Sequence, residues 1–341
     1  MAAHSRKSPS APISAIIVTY NRLEKLKATI SAYSEQQIDH LLIVNNASSD
    51  GTGEWLDARR SDVPRLEVLH LDRNTGGAGG FEAGVRWADQ RLQGWGWIVL
   101  QDDDAYPVPG VTAEFRRRLA QGHYEGCAAV AAAVLTPEGR PADINRPILN
   151  FFRHPRECWR RVRGKAASLR DLYHVPDCDL LDPQTRYRVH AASFVGLYLN
   201  LERLPSSERE RYPQSDLFIY GDDTLYTTNL DRRGLSILLD AGLRYVHDTA
   251  TGYEEGLLRP EWKHFYISRN SLRVYRALSP WAGPLLYLLA MTRRLRTILA
   301  TRDSVMRARS LRGYRLGLVD AVRGRRFRSH GEVVHHVEGG G

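Results

Sequence analysis

Cysteine is scarce in this 341-residue chain, and long apolar runs are absent. Cys127, Cys158 and Cys178 are too few for a disulfide framework, and their spacing matches no pair of zinc ligands, which favours a reducing cytoplasmic setting. The longest apolar stretch, 281–291, is shorter than the roughly 18 residues expected of a membrane-spanning helix, and arginines follow it closely. Residues 1–12 lack the apolar core of a secretory signal and are expected to be disordered.

The composition is that of a globular protein, with 43% hydrophobic and 26% charged residues, which excludes global disorder and fibrous folds. The formal net charge is +9, and it is concentrated in residues 259–330, where 17 Lys and Arg face only 3 Asp and Glu. One explanation is a solvated basic face. Another is a surface for anionic lipid, because leucines such as Leu285 and Leu289 interleave with the arginines. Nucleic acid ranks third, because no recognised nucleic-acid motif accompanies the charge.

Apolar, β-branched runs alternate with helical patterns through the first 135 residues. We predict strands at 13–20, 40–46, 66–71, 97–100 and 127–135, with helices between them. Residues 136–190 are read as loops and short elements, followed by a strand at 190–201, a helix at 220–233, a strand that ends at His247 and helices from about residue 257. Repeated β-α-β units with short connections predict an α/β fold with a parallel sheet and right-handed crossovers.

Each of the first four predicted strands ends in polar residues. These ends are Thr19-Tyr20-Asn21, Asn45-Asn46, Asp72-Arg73-Asn74 and Asp102-Asp103-Asp104. Ordinary loop polarity could explain any one of them. Because ligands of an open parallel sheet bind outside the carboxyl ends of the strands, we expect the four sets to converge on one site.

A glycine-rich turn, NTGGAGG, follows the third strand and leads into a helix. Glu82 occupies the position at which a dinucleotide fingerprint requires its third glycine, and no P-loop motif is present, so both of those sites are disfavoured. A tight turn needs only one or two glycines. Four glycines within five residues favour a ligand that approaches the backbone closely.

The aspartate triplet is the most informative motif. Three adjacent carboxylates repel one another unless a cation compensates them, and Mg²⁺ or Mn²⁺ takes carboxylate oxygens together with substrate phosphates. Strand alternation places Asp102 and Asp104 on one side and Asp103 on the other. Asp222 and Asp223 form a second acidic pair at the start of a predicted helix, where one of them could serve only as a cap.

Together these motifs resemble the inverting, family 2 glycosyltransferases that use nucleotide sugars and have the GT-A fold. IIVTYNR, LLIVNNASSDGT and the aspartate triplet carry this resemblance. NTGGAGGFEAG followed by QDDDA is most similar to the bacterial galactofuranosyltransferases of cell-wall and surface-glycan synthesis, and SFVGLYL, LFIYGDDTLYTTNLDRRG and ISRN fit the same subgroup. The resemblance implies a Rossmann-like, mostly parallel sheet flanked by helices, with a helical, basic C-terminal region.

The same resemblance implies the domain boundaries. Residues 13–256 would form the catalytic domain, with a nucleotide-binding half at 13–135 and an acceptor half at 136–256. Residues 257–330 would form a helical, membrane-associating region, and 331–341 a flexible tail.

The resemblance also implies roles for individual residues. Asp223 would be the catalytic base, Asp222 would hold acceptor or donor hydroxyls, and Asp102, Asp104 and His247 would bind Mn²⁺ or Mg²⁺. The second strand ends in Asn46 where an aspartate is usual, which leaves the choice between UDP and dTDP open. The residues implied around the nucleotide and donor are Thr19, Tyr20, Asn21, Asn46, Asp50, Arg73, Asn74, Gly76, Gly77, Asp102 and Asp103.

The expected activity is metal-dependent transfer of galactofuranose from UDP-galactofuranose to a hydroxyl of a lipid-linked or surface-glycan acceptor. One alternative is a rhamnosyltransferase that uses dTDP-rhamnose, and another is a non-catalytic protein that binds sugar nucleotides or lipid. The expected partners are the donor, the lipid-linked glycan acceptor and the anionic inner leaflet of the cell membrane, where the protein would be peripheral. Nucleic acid is not an expected partner, and homo-oligomerisation is left open.

Overall fold

Strands and helices alternate through the first 135 residues of the computed structural model, which describes residues 11–63, 65–163, 173–248, 253–254 and 257–339. The expected disorder of the N-terminus concerns residues that lie almost wholly outside these ranges. The first strands are β1 (Ile13–Thr19), β2 (His40–Asn45), β3 (Leu66–His70), β4 (Trp97–Asp102), β5 (Ala105–Pro107) and β6 (Cys127–Leu135). The helices between them are α1 (Leu23–Ser34), α2 (Thr52–Arg59), α3 (Gly76–Arg91) and α4 (Val111–Ala120).

The following elements complete the sheet and lead into the C-terminal helices. The strands are β7 (Arg186–Val189), β8 (Leu197–Asn200), β9 (Ser236–His247), β10 (Tyr253–Glu254) and β11 (Leu257–Leu258). The helices are α5 (Pro155–Val162), α6 (Asp177–Leu181), α7 (Glu208–Arg211), α8 (Asp222–Arg232), α9 (Lys263–Leu278), α10 (Gly283–Ala300), α11 (Ser304–Arg323) and α12 (His330–Glu338).

One nine-stranded sheet runs through the molecule in the order β3-β2-β1-β4-β8-β6-β9-β5, and β7 pairs with the first half of β9. The strands β1, β2, β3, β4, β6 and β9 all point the same way, whereas β8 lies antiparallel between β4 and β6. The sheet is therefore mostly parallel and flanked by helices, as predicted. The carboxyl ends of β1, β2, β4 and β9 lie along one edge, which is where a ligand site of such a sheet belongs.

Alternating side chains of β1 show why its sequence is apolar throughout. Ile13, Ala15 and Ile17 belong to the core cluster on one face of the sheet, and Ile16 and Val18 belong to the cluster on the other face. Because helices cover both faces, every position of the strand is buried.

The predicted strand at 190–201 was too long. Only Leu197–Asn200 forms a strand there, and β7 ends before it begins. Between them the backbone leaves the sheet. The N–H of Ala192 donates to the Thr227 hydroxyl of α8, and that hydroxyl also lies 3.1 Å from the Ala192 carbonyl oxygen. His190 donates its N–H to the Ile148 carbonyl oxygen. Apolar periodicity cannot reveal partners so distant in sequence.

The C-terminal quarter is helical and has its own small core. Tyr287 and Met291 of α10 pack with Met306 and Tyr314 of α11. Leu285, Leu288 and other apolar side chains of α10 are exposed. Among the described residues, no helix combines the length and hydropathy needed to cross a membrane.

Residues 331–341 were expected to be a flexible tail, and this expectation is wrong for most of them. Helix α12 occupies His330–Glu338, and a capping box joins Ser329 to Glu332 at its start. Val333 and Val337 are completely buried against Phe265 of α9. The apolar pair, spaced four residues apart, forms one face of a short helix that the preceding helices bury.

Candidate active site

The polar strand ends converge on one cleft, of about 670 Å³, which we call the main cleft. It opens along the sheet edge that the parallel strands share, and it is also bounded by the start of α8 and the start of α9. The residues predicted for the site that line it are Thr19, Tyr20, Asn46, Asn74, Gly76, Gly77, Asp102, Asp103, Asp104, Asp222, Asp223 and His247. Segments that are far apart in sequence therefore meet in one place.

Three predicted site residues lie elsewhere. Asn21 and Asp50 line an adjoining recess, which reaches Asp104. Asp50 accepts hydrogen bonds from the N–H groups of Leu23 and Thr52, so its carboxylate organises the turn beside α1. Arg73 is exposed and lines neither space. Proximity in sequence to Asn74 does not bring Arg73 into the cleft, because its side chain leaves the turn on the solvent side.

The aspartate triplet begins where strand β4 ends, at Asp102, and all three residues line the main cleft. Asp102 and Asp104 lie together beside His247, as predicted. The Thr19 hydroxyl donates to Asp103 over 2.8 Å. Burial raises the pKa of Asp103 to about 6. Burial, together with the charge of Asp104, raises the pKa of Asp102 to about 7. Both values are raised mainly because burial disfavours the charged form, and a bound cation would stabilise these carboxylates in that form.

Arg22 partly compensates the negative charge of the triplet, although no motif in the sequence indicated this role. Its guanidinium donates to Asp104 over 2.6 Å and to Asp103 over 3.3 Å. Arg22 directly follows Thr19-Tyr20-Asn21, the polar end of the first predicted strand. This position beside the predicted site is the feature of the sequence that indicates its role. Arg22 holds two of the three carboxylates in fixed positions and leaves Asp102 to other partners.

Asp102, Asp104 and His247 form a cluster suited to a divalent cation. Their potential ligand atoms all lie within 4.8 Å of one another. The imidazole Nδ1 of His247 lies 2.6 Å from the side-chain oxygen of Asn145, and Nε2 lies 3.0 Å from Asp104. An Nδ1–H that donates to Asn145 leaves Nε2 available as a ligand. Two carboxylates and one imidazole are a donor set that Mn²⁺ accepts and that Mg²⁺ accepts when substrate oxygens complete it.

Asn145 is a second residue that sequence reasoning missed. Its amide donates to the Ser193 hydroxyl over 3.1 Å while its oxygen faces His247. Burial alone would lower the pKa of His247, but the hydrogen bond to Asp104 raises it above its ordinary value. Asn145 lies in the region read only as loops, and nothing in its local sequence marks it.

Asp222 and Asp223 begin α8, after Gly221, which has a left-handed φ of 79°. The N–H and the hydroxyl of Thr224 donate to one oxygen of Asp223 over 2.5 and 3.1 Å. Burial raises the pKa of Asp223, and burial together with the adjacent Asp223 raises the pKa of Asp222 well above its ordinary range. A carboxylate with a raised pKa is a better proton acceptor for an alcohol than an ordinary one.

The loop before this acidic pair is strained and is held by α9. Phe218 and Tyr220 both have φ near 66°, which side-chain-bearing residues rarely adopt. The side-chain amide of Asn270 donates to the carbonyl oxygens of Leu217, Ile219 and Tyr220 over 2.8 to 3.0 Å. Asn270 belongs to the ISRN segment, whose role the sequence alone did not define. It fixes the loop that leads into Asp222 and Asp223.

The glycine-rich turn is largely explained by packing. A side chain at Gly76 would collide with the carbonyl oxygen of Phe218, and side chains at Gly79 and Gly80 would collide with Thr75 and Val18. Gly77 alone of the four adjoins open space. The prediction that the glycines serve close approach of a ligand therefore applies to Gly77, and the others let α3 pack closely.

The hydrogen bonds of the Asn46 side chain are mainly structural. Its amide donates to the Gly76 carbonyl oxygen over 2.9 Å, and its oxygen accepts from the N–H of Thr75 over 2.8 Å. The side chain ties the end of β2 to the start of α3 beneath the main cleft.

A second group of metal-ligand side chains, His154, Glu157 and His190, lies apart from the main cleft. The Nδ1 of His190 accepts the N–H of Asn150 over 2.9 Å, so the neutral ring carries its proton on Nε2. His154 lies 3.0 Å from Asp231. The Nε2 of His190 lies 3.7 Å from Glu157 and makes no hydrogen bond, so this group is only partly hydrogen-bonded.

Comparison with known proteins finds similarity to glycosyltransferases in sequence and in fold. Residues 14–178 match the model of glycosyl transferase family 2. An undecaprenyl-phosphate mannosyltransferase from Micrococcus luteus is 38% identical over 91 residues, which are 26% of this chain and 36% of that protein. The galactofuranosyltransferase GlfT1 from Mycolicibacterium smegmatis is 26% identical over 274 residues, which are 76% of this chain and 81% of that protein. The match thus spans about a third of the first relative and most of the second.

Two solved structures share the fold at low sequence identity. The mannosyltransferase PcManGT from Pyrobaculum calidifontis, solved with GDP-Man and Mn²⁺, has a TM-score of 0.50 and 16% identity, and the alignment covers 93% of this chain and 76% of that one. GalNAc-T7, solved with UDP, GalNAc and Mn²⁺, has a TM-score of 0.50 and 13% identity over 77% of this chain and 51% of that one. These likenesses support the GT-A type of fold.

Proposed function

We propose that this chain, whose residues 14–178 form a glycosyl transferase family 2 domain, transfers galactofuranose from UDP-galactofuranose to a hydroxyl of a lipid-linked acceptor. The observation that carries the proposal is the meeting of Asp102, Asp104 and His247 with Asp222 and Asp223 in one cleft. A cation site and a candidate base are the two parts that inverting transfer from a nucleotide sugar requires. The relative that matches most of the chain is a galactofuranosyltransferase, which supports the choice of sugar.

The donor would lie along the sheet edge. Thr19, Tyr20, Asn74 and Gly77 line the part of the main cleft that the ends of β1 and α3 form, and we assign them to the nucleotide and donor. Lys263, at the start of α9, lines the same cleft. Burial lowers the pKa of Lys263, and the nearby Arg22 lowers it further, so an anion beside this ammonium would be stabilising. We assign it to the diphosphate.

Asp102, Asp104 and His247 would hold Mn²⁺ or Mg²⁺, which supplies charge neutralisation to a departing diphosphate. Asp223 would accept the proton of the acceptor hydroxyl, which attacks the face of the sugar opposite the diphosphate and so inverts the anomeric configuration. Thr224 orients the Asp223 carboxylate through its two hydrogen bonds. Asp222 would bind a sugar hydroxyl beside it.

We propose further that the acceptor is presented at a membrane. The exposed leucines of α10 and the arginines that follow them suit an interfacial position on an anionic surface. The protein would then be peripheral on the inner leaflet, with the main cleft within reach of a polyprenyl-linked glycan.

A donor panel tests the sugar and the nucleotide. The full chain is incubated with Mn²⁺, a synthetic polyprenyl-diphosphate glycan and one of UDP-galactofuranose, dTDP-rhamnose or GDP-mannose, and the product is read by mass. We expect a mass gain of one or more hexoses with UDP-galactofuranose alone. A deoxyhexose gain, or turnover only with GDP-mannose, would show that the donor assignment is wrong.

Asp223→Asn tests the base. General-base catalysis contributes about 10²–10⁴-fold, so we expect turnover to fall by that factor while UDP binding in the presence of Mn²⁺ is retained. Asp62→Asn, at an exposed aspartate outside the cleft, controls for the loss of one negative charge. Near-normal turnover of Asp223→Asn would remove this residue from the chemistry.

A further inference from the structure

A second cavity, of about 650 Å³, adjoins the main cleft, and we call it the apolar groove. Tyr220, Gly221 and Thr224 line both spaces, so the groove begins at the start of α8. Most of its remaining wall is hydrocarbon or aromatic. That wall includes Ile148, Phe152, Trp159, Ile267, Leu278 and Leu286.

The inner end of the groove lies one side chain from the candidate base. Thr224, which lines the groove, donates its hydroxyl to Asp223 over 3.1 Å. An acceptor hydroxyl must approach Asp223, so whatever occupies the groove lies next to the acceptor. A second copy of this chain seated there would cover that approach, which argues against self-association as the purpose of the groove.

The outer end of the groove continues into exposed apolar surface. Leu286 of α10 lines the groove, while Leu285, Leu288 and Leu289 of the same helix are each about 60% exposed. The ring of Phe152, in the groove wall, packs edge-to-face against Trp281 at a centroid distance of 5.4 Å, and Trp281 is 75% exposed. Large exposed apolar surface next to a cavity is typical of a site that takes up hydrocarbon.

From this continuity we propose that the apolar groove holds the hydrocarbon chain of the acceptor's lipid carrier. The chain would enter over the exposed leucines of α10, and its phosphate-bearing end would point toward the main cleft. This proposal rests on the proposed function for the identity of the acceptor. The groove itself is defined by its lining and its position, so its binding of hydrocarbon is measurable without any turnover.

Ser271 of α9 offers a way to close the groove. It lines the groove and is half-buried, so Ser271→Trp fills the space, whereas Ser271→Ala leaves it open and serves as the matched control. Phe152→Glu is a second variant, because Phe152 is 40% exposed and a charge there is tolerated by folding but not by bound hydrocarbon.

The probe is farnesyl phosphate, and its binding to the full chain is measured by calorimetry. We expect the wild type and Ser271→Ala to bind it, with inorganic phosphate unable to compete. Ser271→Trp and Phe152→Glu should weaken binding about tenfold or more, as expected when about two methylene groups lose apolar contact. UDP binding with Mn²⁺ should be unchanged in both variants, which shows that they fold. Unweakened farnesyl phosphate binding in both would overturn the proposal.

Two further arms separate the carrier from other occupants. Dihexanoyl phosphatidylglycerol should not displace farnesyl phosphate, and equal displacement would mean that the groove takes membrane lipid instead. With a polyprenyl-linked acceptor, Ser271→Trp should raise KM about tenfold or more, yet leave transfer to a short water-soluble acceptor unchanged. If the wild type turns over no donor but Ser271→Trp still weakens farnesyl phosphate binding, the assignment of the groove to hydrocarbon is retained and the proposed function is wrong.

Discussion

Replacing Asn270 with alanine tests how the acidic pair is held. The amide of Asn270 donates to the carbonyl oxygens of Leu217, Ile219 and Tyr220, and Asp222 follows Tyr220 by two residues. The Asn270 side chain is buried and cannot be replaced by water without opening the contact between α9 and the loop. Asn270→Ala therefore removes the donor that keeps a strained loop in place.

The expected loss of stability follows from the backbone carbonyl groups that lose the Asn270 amide as hydrogen-bond donor. The Leu217 carbonyl keeps a hydrogen bond from Arg269, over 3.0 Å, so the loss concerns Ile219 and Tyr220. Each unsatisfied buried carbonyl costs about 1–3 kcal/mol, and both residues are half-buried, so we expect the free energy of unfolding to fall by about 2 kcal/mol. Left-handed residues store about 1–3 kcal/mol each, which favours relaxation of the loop once it is released.

Urea unfolding and steady-state kinetics measure the two consequences. A displacement of about 1 Å at a reacting group can cost 10²-fold, so we expect kcat to fall about tenfold or more while UDP affinity changes little. Ser271→Ala, the next residue on α9, should leave both the unfolding free energy and kcat unchanged. An Asn270→Ala variant with wild-type stability and wild-type kcat would refute the reasoning.

Other substitutions test separate parts of the account. Gly76→Ala should lower the free energy of unfolding by about 2 kcal/mol or more, because the added methyl group collides with Phe218 and the residue has a positive φ. Gly77→Ala should lower it by less than about 1 kcal/mol, because open space surrounds that position. Equal urea midpoints for the two variants would contradict this. Burial, with the nearby Arg294, lowers the pKa of His264 to about 3, so its contribution to stability is complete above about pH 6.5 and declines as the pH falls toward 3. Between pH 7 and 4, the free energy of unfolding should therefore fall by about 3 kcal/mol less in His264→Leu than in the wild type. Identical dependence of the unfolding free energy on pH in the two proteins would contradict this. Asn145→Ala should weaken Mn²⁺ binding about 10–100-fold, as calorimetry would show, and unchanged affinity would mean that Asn145 does not orient His247.

Local patterns predicted the strands and the convergence of their ends. The apolar runs at β1, β2, β4 and β6 are buried on both faces, so their composition alone identifies them. Because the carboxyl ends of parallel strands share an edge, the position of each polar set followed from the strand before it. The grouping of His247 with the aspartate triplet came instead from the resemblance to family 2 glycosyltransferases.

The missed residues act over long distances in sequence. Asn145 contacts His247 from 102 positions away, and Asn270 contacts Tyr220 from 50 positions away. Neither residue type is distinctive, since an asparagine in a loop or helix has many roles. The packing role of the glycines was not predicted for a related reason. The neighbours that leave no room for a side chain, such as Phe218, come from segments that contact the turn only in the folded chain.

Residues 331–341 were predicted to be flexible because their helix is stabilised by packing against α9, which the local sequence does not reveal. Residues after Gly324 contain charged and small residues that suggest flexibility, yet Val333 and Val337 become fully buried. His330 stacks on Phe218 at a centroid distance of 4.4 Å, and it also lines the main cleft. The C-terminal helix thus supports the loop before the acidic pair, which no local pattern indicates.

A crystal of the full chain grown with UDP and Mn²⁺ tests the central claim most directly. The account predicts an anomalous manganese peak among Asp102, Asp104 and His247, with the UDP diphosphate bound to the same ion in the main cleft. His247→Ala should lose that peak under the same conditions. Manganese or nucleotide bound away from residues 102–104 in the wild type would contradict the account.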